Sequence, residues 1–220
     1  MKHRLIISFV GLFLGALTLS SCLKESDETI LVNDPQDIPF ITKYLPEDLW
    51  NMFGEENVHF GDQPPVVDME FMSVHEYVVV AVDAPNHPQV GETSPVKYYH
   101  KFCQQYHQIA SYYSKNSEDS HCKLITPVYM TGSGNDFTVY YFETLQTEGL
   151  PEQAVVMSGT VTDDGIKNFL YGYQIVKYND SIYDENLVYP VNSIFVFRDA
   201  DNLAERCTWY NDSIVNPQIH

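Results

Sequence analysis

Basic side chains are scarce in this chain: 12 Lys and Arg stand against 30 Asp and Glu, a formal net charge of −18 at neutral pH. A surface so acidic repels phosphate backbones and anionic head groups, which argues against nucleic acid as a partner. Motifs that carry chemistry are missing too. Gly-x-Ser-x-Gly, whose glycines permit the tight turn that exposes a nucleophilic serine, does not occur. His75-Glu76 begins like a zinc-protease helix, but Val79 stands where the second histidine is required. Gly132-Ser133-Gly134 opens the run Phe137-Thr138-Val139-Tyr140-Tyr141, a strand pattern rather than a helix, so it reads as a hairpin turn and not a phosphate loop. A calcium loop starting at Asp199 needs Gly at its sixth place and Glu at its twelfth, where Ala204 and Tyr210 stand. His100, Cys103 and His107 share a face only if their segment is helical, and no metal site is assigned to them. Acids this abundant fall near one another by number alone, so no pair of them marks a glycosidase. No cofactor is implied.

Long apolar runs are absent except one, Leu5 to Leu19, preceded by Lys2 and Arg4 and followed by Ser20-Ser21-Cys22. A membrane-spanning helix needs about 20 apolar residues, so this is the pattern of a secretory signal peptide over residues 1–21. Leu19-Ser20-Ser21-Cys22 resembles the lipobox of type II signal peptides. The resemblance implies cleavage before Cys22 and acylation of its thiol and its freed amine. One acyl chain anchors only marginally, whereas two or more anchor stably. Loss of the signal peptide removes Lys2 and Arg4 and no acid, which takes the formal charge from −18 to −20.

Residues 22–43 have the composition of a flexible tether, with Lys24-Glu25-Ser26-Asp27-Glu28 close to the lipid site and Pro35 and Pro39 beyond it. Lys24, Glu25, Asp27 and Glu28 resemble the export signal of Bacteroidetes lipoproteins, a lysine followed by acids just after the lipidated cysteine. What that implies is an outer-membrane lipoprotein exposed on the cell surface. Cysteine is sparse: once Cys22 is spent on lipid, Cys103, Cys122 and Cys207 remain. An odd number in an oxidising compartment leaves one thiol over. Cys103 and Cys122, nearest in sequence, are the expected bridge.

Residues 44–220 carry the folded part. Pro46-Glu47-Asp48, then Leu49, Trp50, Met52 and Phe53, then Gly54 predict a short helix. From Gly61 onward, short apolar runs alternate with turn residues: Glu76 to Val82, Phe137 to Phe142, Ala154 to Val161, Phe169 to Tyr178 and Ser193 to Phe197. Strands at this spacing predict a mainly β fold, an antiparallel barrel with a short N-terminal helix, or alternatively a β-sandwich. The segment 96–115 has helical periodicity, yet its aromatics favour two strands about a turn near Tyr106-His107. The hairpin is the preferred reading.

His59-Phe60-Gly61-Asp62-Gln63-Pro64-Pro65, Gly132 to Val139, Ser158-Gly159, Gly165-Ile166-Lys167-Asn168 and Phe197-Arg198-Asp199-Ala200-Asp201 resemble signposts of Bacteroidetes lipoproteins of unknown function, over about residues 45 to 209. Some such lipoproteins have calycin-like, lipocalin-type barrels, which the resemblance makes the expected fold.

Sixteen Tyr and twelve Phe suit both strand pairing and stacking on flat ligands. Tyr98, Tyr112, Tyr140 and Tyr171, in aromatic runs, are the candidate ligand-binding residues. The reading is therefore a lipid-anchored cell-envelope binding or accessory module for a glycan or a small hydrophobic molecule. A structural lipoprotein that docks an envelope protein is the alternative, and a small glycan-acting enzyme comes third.

Replacing Cys22 with Ser should abolish lipid labelling and leave the precursor uncut; a variant still sedimenting with membranes in detergent-free buffer refutes the anchor. Changing Lys24, Glu25, Asp27 and Glu28 together to Ala should leave the protein lipidated but hidden from protease added to intact cells. Equal digestion of wild type and variant would mark the cluster as linker only.

Overall fold

The computed structural model describes residues 45–84, 87–119, 122–143, 151–178 and 189–209. The signal peptide, Cys22 and the tether with Lys24, Glu25, Asp27 and Glu28 lie outside the described residues. Among those described, no helix is long and apolar enough to cross a membrane.

Helix α1 (Glu47–Phe53) starts where expected. Glu47 and Asp48 in its first turn complement the positive end of the helix dipole. Leu49 and Phe53, four residues apart, lie on one face and are buried. Gly54, at φ 87°, ends the helix in a conformation that costs other residues more.

Nine strands follow: β1 (Glu70–Ala81), β2 (Thr93–Tyr106), β3 (Ile109–Asn116), β4 (Lys123–Ser133), β5 (Asp136–Glu143), β6 (Pro151–Thr162), β7 (Gly165–Tyr178), β8 (Ile194–Asp199) and β9 (Leu203–Arg206). Each pairs antiparallel with its neighbours in one sheet. β1 pairs with β2 on one side and with β8 and β9 on the other, so the hydrogen bonds form a ring. A β-sandwich needs two separate sheets, and this pairing gives one closed sheet instead. The strand number is odd because β8 and β9 lie end to end in the same slot between β1 and β7. β8 meets β7 from Leu170 to Gln174, and β9 meets it from Gly165 to Lys167.

The segment 96–115 is the hairpin of β2 and β3, with Phe102 opposite Tyr112 and Tyr106 opposite Ile109. His107 turns the chain at φ 53°.

Alternation along the strands separates two apolar clusters. The inner one holds Phe71, Phe102, Tyr112, Met130, Phe137, Val139, Tyr141, Met157 and Phe169. Ring contacts such as Phe71 to Phe169 (5.3 Å) and Phe102 to Phe137 (6.1 Å) join strands that are not neighbours, so they cross the interior. The outer cluster places Leu49 and Phe53 of α1 against Tyr140, Val156 and Val196. Burial of two such side chains stabilises the docking by about 1.5–3 kcal/mol each. Gly172 on β7 permits the approach, since a Cβ there would stand 2.9 Å from the Phe53 ring.

Between α1 and β1 the chain straps one end of the ring. The Thr131 hydroxyl donates to the His59 carbonyl (2.8 Å), and Gln105 both accepts from the Val67 N–H (2.9 Å) and donates to the Pro65 carbonyl (2.9 Å). Val67 and Met69 enter the inner cluster beneath this strap.

The expected Cys103–Cys122 bridge is not formed. Cys103 lies on β2 opposite Ser111 of β3, and Cys122 just precedes β4 on the far side of β3. Two strand spacings of about 4.8 Å separate β2 from β4, beyond the Cα reach of a disulfide, about 4.4–6.8 Å. Nearness in sequence misled here because the strand between them intervenes.

Candidate functional site

The end of the ring opposite the strap has a different lining. On β1, Ser73, His75 and Tyr77 continue the inward parity of Phe71; Tyr98 and His100 do so on β2, Tyr171 and Tyr173 on β7, and Phe195 and Phe197 on β8. His75 stacks on Tyr98 at 4.0 Å and nearly parallel, and lies 5.4 Å from Tyr171 and 4.9 Å from Phe197. Tyr171 and Tyr173 sit deep among protein atoms yet keep accessible surface. Because both face inward in a closed ring, that surface lies on the ring's inner side, called the lumen below.

The two buried histidines of this lumen are satisfied unequally. His100 is fully engaged, with Nε2 at 2.9 Å from the Ser73 hydroxyl and Nδ1 at 2.6 Å from the Tyr112 hydroxyl. The rings of Tyr112 and Tyr141 lie 5.6 Å apart on the same inner face, and Tyr171 also faces inward. His75 is as deeply buried as His100, both 2% exposed, but its Nε2 has no hydrogen-bond partner. An unsatisfied buried polar atom costs about 1–3 kcal/mol, and an apolar residue of the same shape would avoid that cost.

Burial sets the charge of the lining. It pushes His100 down to about 3 and, with His100 adding a smaller effect, holds His75 well below its usual value. It also raises Tyr112, Tyr141, Tyr171 and Tyr173 well above the ordinary phenol range, and Tyr77 to about 12 with help from Tyr98, Tyr189 and Glu92. At neutral pH the lumen is lined by uncharged hydrogen-bonding rings.

Of the four tyrosines singled out from sequence, Tyr98, Tyr112 and Tyr171 face this interior. Tyr140 does not: it has the opposite parity to Tyr141 and is buried in the outer cluster with Val156 and Ile194. His75, His100, Tyr173, Phe197 and Glu143 were missed as a group, and the signal that finds them is shared parity rather than aromatic density. His100 faces inward and Cys103 outward, so they do not converge with His107 on a metal, and no group of metal-binding side chains occurs among the described residues. Asp199 to Asn202 form the turn between β8 and β9, where the Asp199 carboxylate accepts from the N–H groups of Val74 (2.9 Å) and Asp201 (3.3 Å). Outside the ring, a groove of about 540 Å³ runs between α1 and the outward residues Val78, Val79, Leu170 and Val196.

The histidines make stability depend on acid. In the unfolded chain each takes a proton near pH 6.5, whereas in the folded ring each resists it. The unfolded state therefore binds more protons below pH 6.5, and stability falls as the pH drops from 6.5 toward 3. Asp199 acts in the opposite sense: burial, then its hydrogen bond with Asp201, raises it from 3.8 to about 6, so the folded state takes that proton first. It offsets part of the loss. Urea denaturation should show a net loss of roughly 2–3 kcal/mol between pH 7 and pH 5, and His75→Phe should lose distinctly less. The same loss in wild type and variant would show that His75 is not held neutral by the fold.

No family model, curated protein or solved structure matches this chain.

Proposed function

We propose that this chain is a cell-surface lipoprotein of the outer membrane, anchored through Cys22, whose ring of strands is a calycin-like, lipocalin-type binding barrel. Its ligand is a small organic molecule with a flat apolar body, seated among the inward tyrosines with a polar group on His75. The observations that carry this reading are the accessible surface kept by the inward Tyr171 and Tyr173 and, behind it, the unpaired Nε2 of His75, which a ligand reaches only by displacing the rings stacked around it. Apart from binding, a phenylalanine at position 75 would fill the same space without the desolvation cost. Tyrosine rings supply broad contact area with few rotatable bonds and a hydroxyl at the tip, which suits an adaptable ligand wall.

Docking of an envelope protein is less well supported. The large exposed apolar residues among those described are Met52 on α1, Val66 in the strap, Tyr106 and Ile109 at one hairpin, and Val90 and Val191 in connections at the other end. Val66, Tyr106 and Ile109 share the strap end and the others lie elsewhere, whereas a partner interface calls for a larger contiguous patch.

A thermal-shift screen of the mature chain in detergent against glycans, lipids and bile acids should find a ligand that raises the melting temperature. A ligand at a hundred times its Kd adds about 2.7 kcal/mol, or roughly 5–10 °C for a chain of this size. His75→Phe should weaken that ligand about tenfold while leaving the unliganded melting point unchanged or higher. A ligand whose affinity is indifferent to His75 and Tyr171 would place the binding site elsewhere and sink the lumen assignment.

A further inference from the structure

The charge of the ligand is readable from one buried ion pair. Glu143 continues the inward parity of Phe137, Val139 and Tyr141 on β5, and it is only 6% exposed. Two residues beyond Tyr141 on the same strand, it lies on the same inner face as that ring, at the tyrosine wall. Its partner is the Lys123 ammonium at 3.1 Å, on a side chain that is 51% exposed against 7% for that of Glu143. A lysine tail thus reaches in from solvent to put a primary ammonium on a carboxylate fixed in the wall. No Lys or Arg is buried among the described residues, and the Lys123 ammonium is already neutralised by Glu143, so an anionic ligand would have to displace a carboxylate to find a counter-ion there. The orphaned His75, held neutral, adds no positive charge to repel a cation.

We propose that the lumen selects an organic cation: a primary ammonium joined to a flat aromatic body, the ammonium taking the place of Lys123 on Glu143 and the body lying among Tyr98, Tyr171 and Tyr173. This rests on the lumen reading above and narrows it to one charge class. Tyrosine faces attract cations through the ring quadrupole, and the acidic surface raises the local concentration of positive ligands. Lys123 acts as a tethered competitor that leaves when the ligand arrives.

The test is a calorimetric titration of the mature chain in detergent with three probes of one shape: 2-phenylethylammonium, 2-phenylethanol and phenylacetate. The ammonium should bind at least tenfold tighter than the alcohol, and phenylacetate should not bind measurably. Glu143→Gln should erase the preference for the ammonium, and Lys123→Met should strengthen ammonium binding several-fold. A merely structural ion pair would not give opposite signs for its two halves. If Glu143→Gln fails to fold, Lys123→Met, which truncates a half-exposed side chain, decides alone. Equal affinity for ammonium and alcohol, tighter binding of phenylacetate, or weaker ammonium binding in Lys123→Met overturns the charge assignment but leaves the lumen reading standing. Absence of binding by all three probes overturns it as well. The lumen reading itself falls only if the ligands found by thermal shift are also indifferent to His75 and Tyr171.

Discussion

Closure of the sheet, through the pairing of β1 with β2 on one side and β8 and β9 on the other, is the constraint from which the other features follow. An open sheet leaves two edges with unpaired N–H and C=O groups, whereas a ring leaves none along its paired length. Closure also gives every strand an inside and an outside, so the two-residue period decides what each side chain meets. Tyr140 and Tyr141 differ in fate for that reason alone: one supports α1 from outside, and the other packs in the inner cluster.

The ring tolerates a break in its own wall. Between β8 and β9 three residues leave the ladder, yet the backbone groups around them stay paired. Asp199 receives the Val74 N–H through its carboxylate, the Ala200 N–H donates to the Val74 carbonyl at 2.9 Å, and the Asn168 N–H donates to the Asn202 carbonyl at 3.0 Å. Asn168 and Asn202 both have positive φ, 50° and 67°, a region asparagine enters more readily than most residues. This break lies level with the change in lining. Below it, Phe71 and Phe169 pack as an apolar plug, and above it, Ser73, His75 and Tyr171 introduce polar atoms.

Local signals were legible in the sequence and long-range ones were not. Helix α1 follows from a proline, two acids, a spaced apolar face and a glycine stop, all within one short stretch. The hairpin over 96–115 competed with a helix because Tyr99, Phe102, Cys103 and Tyr106 have helical spacing while their aromatic rings favour strands, and only cross-strand pairing decides between them. β4 was not among the clear runs because Pro127 interrupts it, at a point where the register with β3 shifts. β9 is four residues long and has no pattern of its own. The site was hidden for a related reason. His75 and Glu143 belong to it through parity on strands whose inward face is defined by closure, and closure depends on partners far apart in the chain.

The two ends of the ring then differ in what they admit. At the plugged end the strands are joined by two-residue turns at 107–108, 134–135 and 163–164, and the strap with Val67 and Met69 lies across them. Turns so short leave no chain to line an opening. At the tyrosine end no two-residue turn joins neighbouring strands, and the half-exposed Lys123 shows that solvent reaches as far as Glu143.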